Sequence, residues 1–293
     1  MRLAAPLGDA RAWRGKALDA GWRHVLAPEV LAALVAGEDC AEALQRVALT
    51  LEEGPGFAVI AGLDSDRLGR EAAQAAYWAL GRSLGEPLEQ NIEGDLLYDV
   101  RDTGREVSAG ARFSVTNAES TFHIDSAFSP RIPDYVGLLC LQVARSGGRS
   151  QLVSACALHD ALLTECPEVL DALYGAFYFD RRGQHRADEE PVHRAPVFAW
   201  DGRELTMRYL RYYIEVGHER AQVALSAAQT RALAAVEEQL QRPDLRVEFD
   251  LEPGHMLFTN NHWILHNRTA FEDFADPTLR RHCVRLWLGR RGE

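Results

Sequence analysis

At 293 residues, 47% hydrophobic and 26% charged, the chain has the composition of an ordinary soluble globular protein, long enough to bury a sizeable core. A net charge of −11, with Lys16 the only lysine, argues against nucleic acid as a partner, because a backbone-binding surface needs clustered Lys and Arg. Five cysteines (Cys40, Cys140, Cys156, Cys166, Cys283) without C-x-x-C spacing point to reduced thiols in a cytoplasmic protein, and no apolar run suited to export or membrane spanning occurs.

Helical spacing of Val30, Leu31, Leu34, Val35, Ala43, Leu44 and Val47 predicts a helix over 28–53. Gly54-Pro55-Gly56 stops it, and Phe57 to Ile60 reads as a short apolar strand. A second helix, capped by Asp64 or Ser65, presents Leu68, Ala72, Ala76 and Leu80 before Pro87 ends the region. From Leu96 to Ser120 the chain is polar and weakly periodic, which suits a binding loop or lid. Strands follow at Tyr135 to Val143 and Ser150 to Val153, then a helix over 157–174 interrupted by Pro167. Further strands are expected at Ala176 to Phe179, Val197 to Trp200 and Glu204 to Met207, and an amphipathic helix at Ser226 to Gln241. Strands at Leu245 to Leu251, His255 to Thr259 and His282 to Leu288 complete the chain. Many short strands with interposed helices predict an α+β protein of one domain over 1–293, with a β-barrel or jelly-roll core buttressed by helices. Both G-x-G-x-x-G and G-x-x-x-x-G-K-[ST] are absent, so a doubly wound nucleotide-binding sheet is not expected.

The chemistry-bearing stretch is Phe122-His123-Ile124-Asp125. Read as a strand, it points His123 and Asp125 the same way and makes most of a divalent-metal site. Taken alone, the pair is more simply a core histidine beside a solvated aspartate. Of the other histidines, His266 stands out because it follows the apolar Trp263-Ile264-Leu265, whereas His262 sits at a turn and suits hydrogen bonding to backbone. On the last strand, alternation separates Val284, Leu286 and Leu288 from Arg281, Cys283, Arg285 and Trp287. Arginines in so apolar a setting need anions, and a guanidinium matches a carboxylate bidentately.

In order, FHID, SGGRSQLVSA, LEPGHMLFTNNHWILHNRTAFED and RRHCVRLWL resemble the iron(II)/2-oxoglutarate dioxygenases of the taurine dioxygenase and clavaminate synthase-like family, over roughly residues 85–290. The resemblance implies a jelly-roll core over about 85–293 behind a helical portion over about 1–84. It implies His123, Asp125 and His266 as ligands of Fe(II), with Ser150 near bound 2-oxoglutarate and Arg281 on its distal carboxylate. Arg285 would face the primary substrate. O2 is the second co-substrate, and the expected reaction hydroxylates a C–H bond with release of succinate and CO2. His255 departs from the family's usual Asp in the Pro-Gly turn, at a position read as structural. Asn117 and Glu119, together with Arg112, Phe113, Phe128 and Tyr209, are candidates for the substrate pocket, with Glu119 suited to an amine. A small polar metabolite, amino-acid-like or otherwise anionic, is the expected partner, with no nucleic acid and no membrane; homo-oligomerisation is left open. A silent jelly-roll small-acid-binding protein and a cupin-type metalloenzyme without 2-oxoglutarate are the competing readings, and an intact Arg281 beside an intact triad separates them from the first.

Overall fold

A computed structural model describes residues 1–105 and 112–291. A seven-stranded sheet forms its larger layer, in the order Arg23–Val25, Phe57–Ala61, Met256–Asn260, Tyr135–Gln142, His282–Gly289 and Glu86–Leu88, with Leu97–Val100 also on His282–Gly289. A three-stranded sheet of Arg246–Phe249, Ser150–Ser154 and Ile264–Arg268 faces it. His123 joins the edge of that smaller sheet by a single antiparallel bridge to His266. This is the two-layer jelly roll expected from the sequence.

Period-two alternation sorts the large sheet into two faces. Leu139, Leu141, Phe258, Val284, Leu286 and Leu288 join one buried cluster with Leu34, Ala73, Ala76, Tyr77 and Leu80 of the N-terminal helices. The opposite face carries Leu257, Leu138 and Arg285 in one cross-strand row, and Thr259, Val136 and Trp287 in the next. All six line a cavity between the sheets. The helices therefore cover the outer face of the large sheet and leave its inner face for chemistry.

Local differences from the sequence expectations have local causes. The helix over 28–53 is two, Pro28–Val35 and Gln45–Glu52, broken where Gly37 takes φ +78°. Gly69, at φ +78°, likewise splits Ser65–Leu68 from Arg70–Leu84. The buried face of the longer helix is Ala73, Ala76, Tyr77 and Leu80. Helix Ala227–Leu240 forms as expected, with a capping box between Ser226 and Gln229. Elements not anticipated from the sequence include helix Arg211–Arg220 and strands Arg23–Val25, Glu86–Leu88, Leu97–Val100 and Val192–Pro196. No described helix is long and apolar enough to cross a membrane.

The turn before Met256–Asn260 is structural, as read. Gly254 has φ +84°, and a Cβ there would lie 1.8 Å from the Leu63 carbonyl oxygen. Its N–H donates to Cys140 O at 2.8 Å, and Cys140 N–H donates to His255 O at 2.9 Å. His255 contributes its backbone, and its ring accepts from Glu252 N–H at 3.2 Å. Gly254→Ala should cost roughly 2–4 kcal/mol through backbone strain and the displaced Leu63 carbonyl. Urea unfolding measures this, and a loss below half a kcal/mol would remove the turn from the list of structural constraints.

Candidate active site

The metal motif is not a regular strand. Only His123 pairs, giving and taking backbone hydrogen bonds of 3.0 Å with His266, while Ile124 N–H donates to Tyr209 O at 2.9 Å. Asp125 begins a turn, and Thr121 and Ser126 bracket the motif at φ +57° and +55°. Such strained non-glycine positions are maintained only where the surroundings over-determine them. The buried side chains of Phe122 and Ile124 anchor the segment in the core. The same-side expectation for His123 and Asp125 nevertheless holds.

The two imidazoles and the carboxylate offer ligand atoms within 4.8 Å of one another. Asp125 Oδ1 is 3.5 Å from His123 Nε2 and 3.7 Å from His266 Nε2. His123 Nδ1 donates to Thr121 O at 2.8 Å, so its Nε2 carries the lone pair directed to the centre. Burial and the neighbouring His123 bring the His266 pKa down to about 3, against the pull of Asp125, so its ring is neutral at physiological pH. Burial alone would raise the Asp125 pKa; the Arg285 guanidinium foremost, with His123 and His266 beside it, overcomes this and holds it well below the usual carboxylate range. Two imidazoles and one ionised carboxylate are a donor set that fits a divalent iron.

Asp125 is held from several sides. Trp287 Nε1 donates to its Oδ2 at 2.7 Å, and Arg285 Nη1 lies 3.1 Å from the same oxygen. Asn261 grips its backbone, accepting from Asp125 N–H at 2.9 Å and donating to Asp125 O at 3.0 Å. Arg285 is itself fixed by Gln90 Oε1 at 2.8 Å and lies between the rings of Tyr98 and Trp287. Trp287 shares the alternation face of the arginines, a signal present in the sequence. Asn261 and Gln90 gave none, because each acts across more than a hundred residues.

Arg281, beside this centre, is buried and lines the cavity, and its Nη1 has no hydrogen-bond partner among the described residues. Arg268 shares the Phe271 ring with it, the two guanidinium carbons lying 4.6 and 5.3 Å from the ring centroid. Burial and the charge of Arg281 push the Arg268 pKa down to about 9. A buried and a half-buried guanidinium, with an unpartnered donor on the buried one, fit a carboxylate of 2-oxoglutarate.

Other expected residues are distributed differently. Arg112, Phe113 and Phe128 line the cavity. Ser150 lies opposite Arg268 on the small sheet, and it is Arg268 that forms the cavity wall at that level. Asn117 and Glu119 are exposed and stand outside the wall; Glu119 accepts from Asn267 Nδ2 at 2.6 Å, which leaves it turned away from any substrate amine. Tyr209 is wholly buried with its hydroxyl on Glu237, and Tyr213, from the unexpected helix, takes the place in the wall. His262 binds a carboxylate, Asp134 Oδ1 at 2.6 Å, through its ring rather than backbone.

Arg268 also ties down the segment before the metal motif, donating through Nη1 to Thr116 O at 2.9 Å and through Nη2 to Ala118 O. The segment expected as a lid contains strand Leu97–Val100 and a short 3₁₀ turn at Phe113–Val115; residues 106–111 lie outside those described. Arg268→Ala should raise amide exchange across residues 112–120 by roughly a hundredfold or more, as two charge-assisted hydrogen bonds of about 1.5–3 kcal/mol each are lost. Exchange unchanged from that of the unmodified chain would show the clamp to be energetically silent.

A jelly roll with two imidazoles and a carboxylate on one side of a cationic cavity defines a non-haem iron oxygenase. Comparison places the chain more closely: the family described as Taurine catabolism dioxygenase TauD, TfdA family matches residues 31–287, and the chain belongs to it. FR-33289 synthase of Streptomyces rubellomurinus (strain ATCC 31215) is 32% identical over 243 residues, covering 81% of this chain and 70% of the relative. Uridine-5'-phosphate dioxygenase of a Streptomyces species is 32% identical over 151 residues, covering 50% of this chain and 53% of that protein. Among solved structures, asparagine oxygenase in complex with Fe(II), 2S,3S-3-hydroxyasparagine and succinate superposes with a TM-score of 0.68 at 20% identity, covering 91% of this chain and 93% of the other. The chain is thus an iron(II)- and 2-oxoglutarate-dependent oxygenase, with O2 as co-substrate.

Proposed function

We propose that this oxygenase hydroxylates an unactivated C–H bond of a small polar, anionic metabolite, acting as one catalytic unit in the cytoplasm. His123, Asp125 and His266 would hold the iron, and Arg281 the distal carboxylate of 2-oxoglutarate. When bound, iron(II) and 2-oxoglutarate supply the oxidation of the C–H bond, with release of succinate and CO2. The observation that carries the reading is the buried, unpartnered Nη1 of Arg281 in the same cavity as the triad.

The chain's own residues have separable tasks. Thr121 sets the tautomer of His123, and Trp287 and Arg285 orient Asp125. Arg281 and Arg268 place the cosubstrate by its far end, which favours a dicarboxylate over monocarboxylic 2-oxo acids. Phe113, Phe128, Leu210 and Leu257 give the cavity an apolar lining that limits water beside the reacting carbon. Arg285, on the centre side of the same strand face, is the nearer arginine for the substrate. A silent small-acid binder would need neither the triad nor so closely supported an Asp125.

The test is anaerobic titration of the protein with Fe(II) and 2-oxoglutarate. A visible charge-transfer band and, on admitting O2, stoichiometric succinate are expected. Iron binding without any 2-oxoglutarate-dependent spectrum would favour a cupin-type metalloenzyme instead.

A further inference from the structure

Cys140 and Cys283 face each other as Cα partners in the antiparallel pairing of Tyr135–Gln142 with His282–Gly289, whereas Cys40, Cys156 and Cys166 lie outside the strands. The backbone shows which kind of partners they are. Cys140 N–H donates to His255 O at 2.9 Å, and Cys140 O accepts from Gly254 N–H at 2.8 Å, so both groups point away from the last strand. The pair therefore occupies a non-hydrogen-bonded position, where Cα atoms lie about 4.5 Å apart and side chains come nearest. A disulfide accepts Cα separations of roughly 4.4–6.8 Å, so this register can close one with little backbone movement.

Both cysteines are buried on the inner side of the large sheet. Cys283 has Val100 across its other edge, and Val100 and Arg281 line the cavity. The pair thus lies directly behind the cavity wall, at the end assigned to 2-oxoglutarate. The two thiols are not equivalent. Contact with Cys140, together with the guanidiniums of Arg281 and Arg268, draws the Cys283 thiol below its ordinary range against the effect of burial. Cys140 is pushed the other way by Cys283 and by burial, and its Sγ donates to Leu251 O at 3.9 Å. A nucleophilic sulfur beside a protonated one suits stepwise oxidation of the pair. Arg281 has little slack with which to absorb a change: Asp273 Oδ1 holds its N–H at 2.8 Å, and its guanidinium lies over the Phe271 ring.

We propose that Cys140 and Cys283 form an oxidation site, that hydrogen peroxide converts them to a disulfide, and that the disulfide weakens 2-oxoglutarate binding by displacing Arg281. The Cys283 thiolate attacks one peroxide oxygen; the O–O bond breaks, hydroxide leaves and takes up a proton as water, and Cys283 becomes a sulfenic acid. The Cys140 sulfur then attacks the Cys283 sulfur; the S–O bond breaks, and the hydroxyl leaves with the Cys140 proton as a second water. Two thiols lose two electrons and two protons, and peroxide is reduced to two waters. Closure draws the Cβ atoms from about 4.5–5.5 Å to about 3.8 Å, two residues from Arg281 in a close-packed interior. The effect on affinity rests on the role given to Arg281 above; the disulfide does not.

The experiment treats metal-free protein with hydrogen peroxide, removes the oxidant and maps linked peptides by mass spectrometry. The same sample is then loaded anaerobically with Fe(II) and titrated calorimetrically with 2-oxoglutarate. A peptide pair joined through Cys140 and Cys283 is expected, with 2-oxoglutarate affinity roughly tenfold or more below that of the reduced protein. Reduction of the disulfide should restore it. Cys140→Ala and Cys283→Ala should each bind 2-oxoglutarate as the reduced protein does and lose the response to peroxide. Should a variant fail to fold, peptide mapping and titration of the unmodified chain still decide. Absence of the Cys140–Cys283 link, or a linked protein with undiminished affinity, would overturn the proposal. If the reduced, Fe(II)-loaded protein bound no 2-oxoglutarate, the oxygenase reading would fall; with that binding intact, a missing link or an unchanged affinity sinks this inference alone.

Discussion

Asp125→Ala is expected to abolish substrate oxygenation and to weaken Fe(II) binding by roughly a hundredfold or more, beyond the range seen when groups that merely orient a ligand are removed. The loss has two components. One anionic donor leaves a three-ligand set, and the Arg285 guanidinium and Trp287 indole N–H lose the carboxylate they share. Breaking a buried pair at one end costs about 3–5 kcal/mol, so the variant should also be less stable. Asp125→Asn separates the two, because the amide keeps an acceptor for Trp287 but carries no charge. Iron affinity, measured on protein shown to be folded, should fall for both variants. Full iron occupancy with normal hydroxylation in Asp125→Ala would mean that the metal sits elsewhere.

The second large effect is expected at Arg281. Its side chain is buried, and removing it would leave the distal carboxylate of 2-oxoglutarate desolvated without a partner. The Michaelis constant for 2-oxoglutarate should rise tenfold or more, at about 1.4 kcal/mol per decade. Arg285 lies four residues further along the strand, roughly 13 Å away at about 3.3 Å per residue, and against Asp125 rather than Phe271. Arg285→Ala should therefore leave 2-oxoglutarate affinity close to that of the unmodified chain and damage the coupling of cosubstrate consumption to product. Paired steady-state titrations, varying 2-oxoglutarate and then substrate, distinguish these outcomes. Reversal of the two phenotypes would exchange the roles of the arginines.

Much of the site is legible along the chain because strand side chains alternate with a period of two. That rule alone separated Arg281, Arg285 and Trp287 from Val284, Leu286 and Leu288, and the structure puts the first group on the cavity and the second under the helices. It also placed His123 and Asp125 on one side, although the motif makes only a one-residue bridge and then turns. The stop at Gly54-Pro55-Gly56 and the helix start at Ser226 were legible from a few neighbouring residues, whereas the positive-φ breaks at Gly37 and Gly69 were not.

What the tertiary structure decided is which of these faces meet. Asn261 reaches Asp125 across 136 residues and Arg285 reaches it across 160, distances at which composition and periodicity carry no register. Glu119, two residues past Asn117 and four before His123, was expected in the pocket, yet Arg268 holds the backbone at Thr116 and Ala118, and the carboxylate turns outward to Asn267. Tyr213 enters the wall on a helix whose sequence has little amphipathic signal, and Arg112 comes to share the Tyr98 ring with Arg285 only because Leu97–Val100 pairs with the last strand. The sequence by itself determined the ligand types, the strand faces and the jelly-roll class, all encoded by short-range spacing. The charge balance of the cavity was decided by long-range packing, since it depends on which acids are kept out as much as on which arginines are brought in.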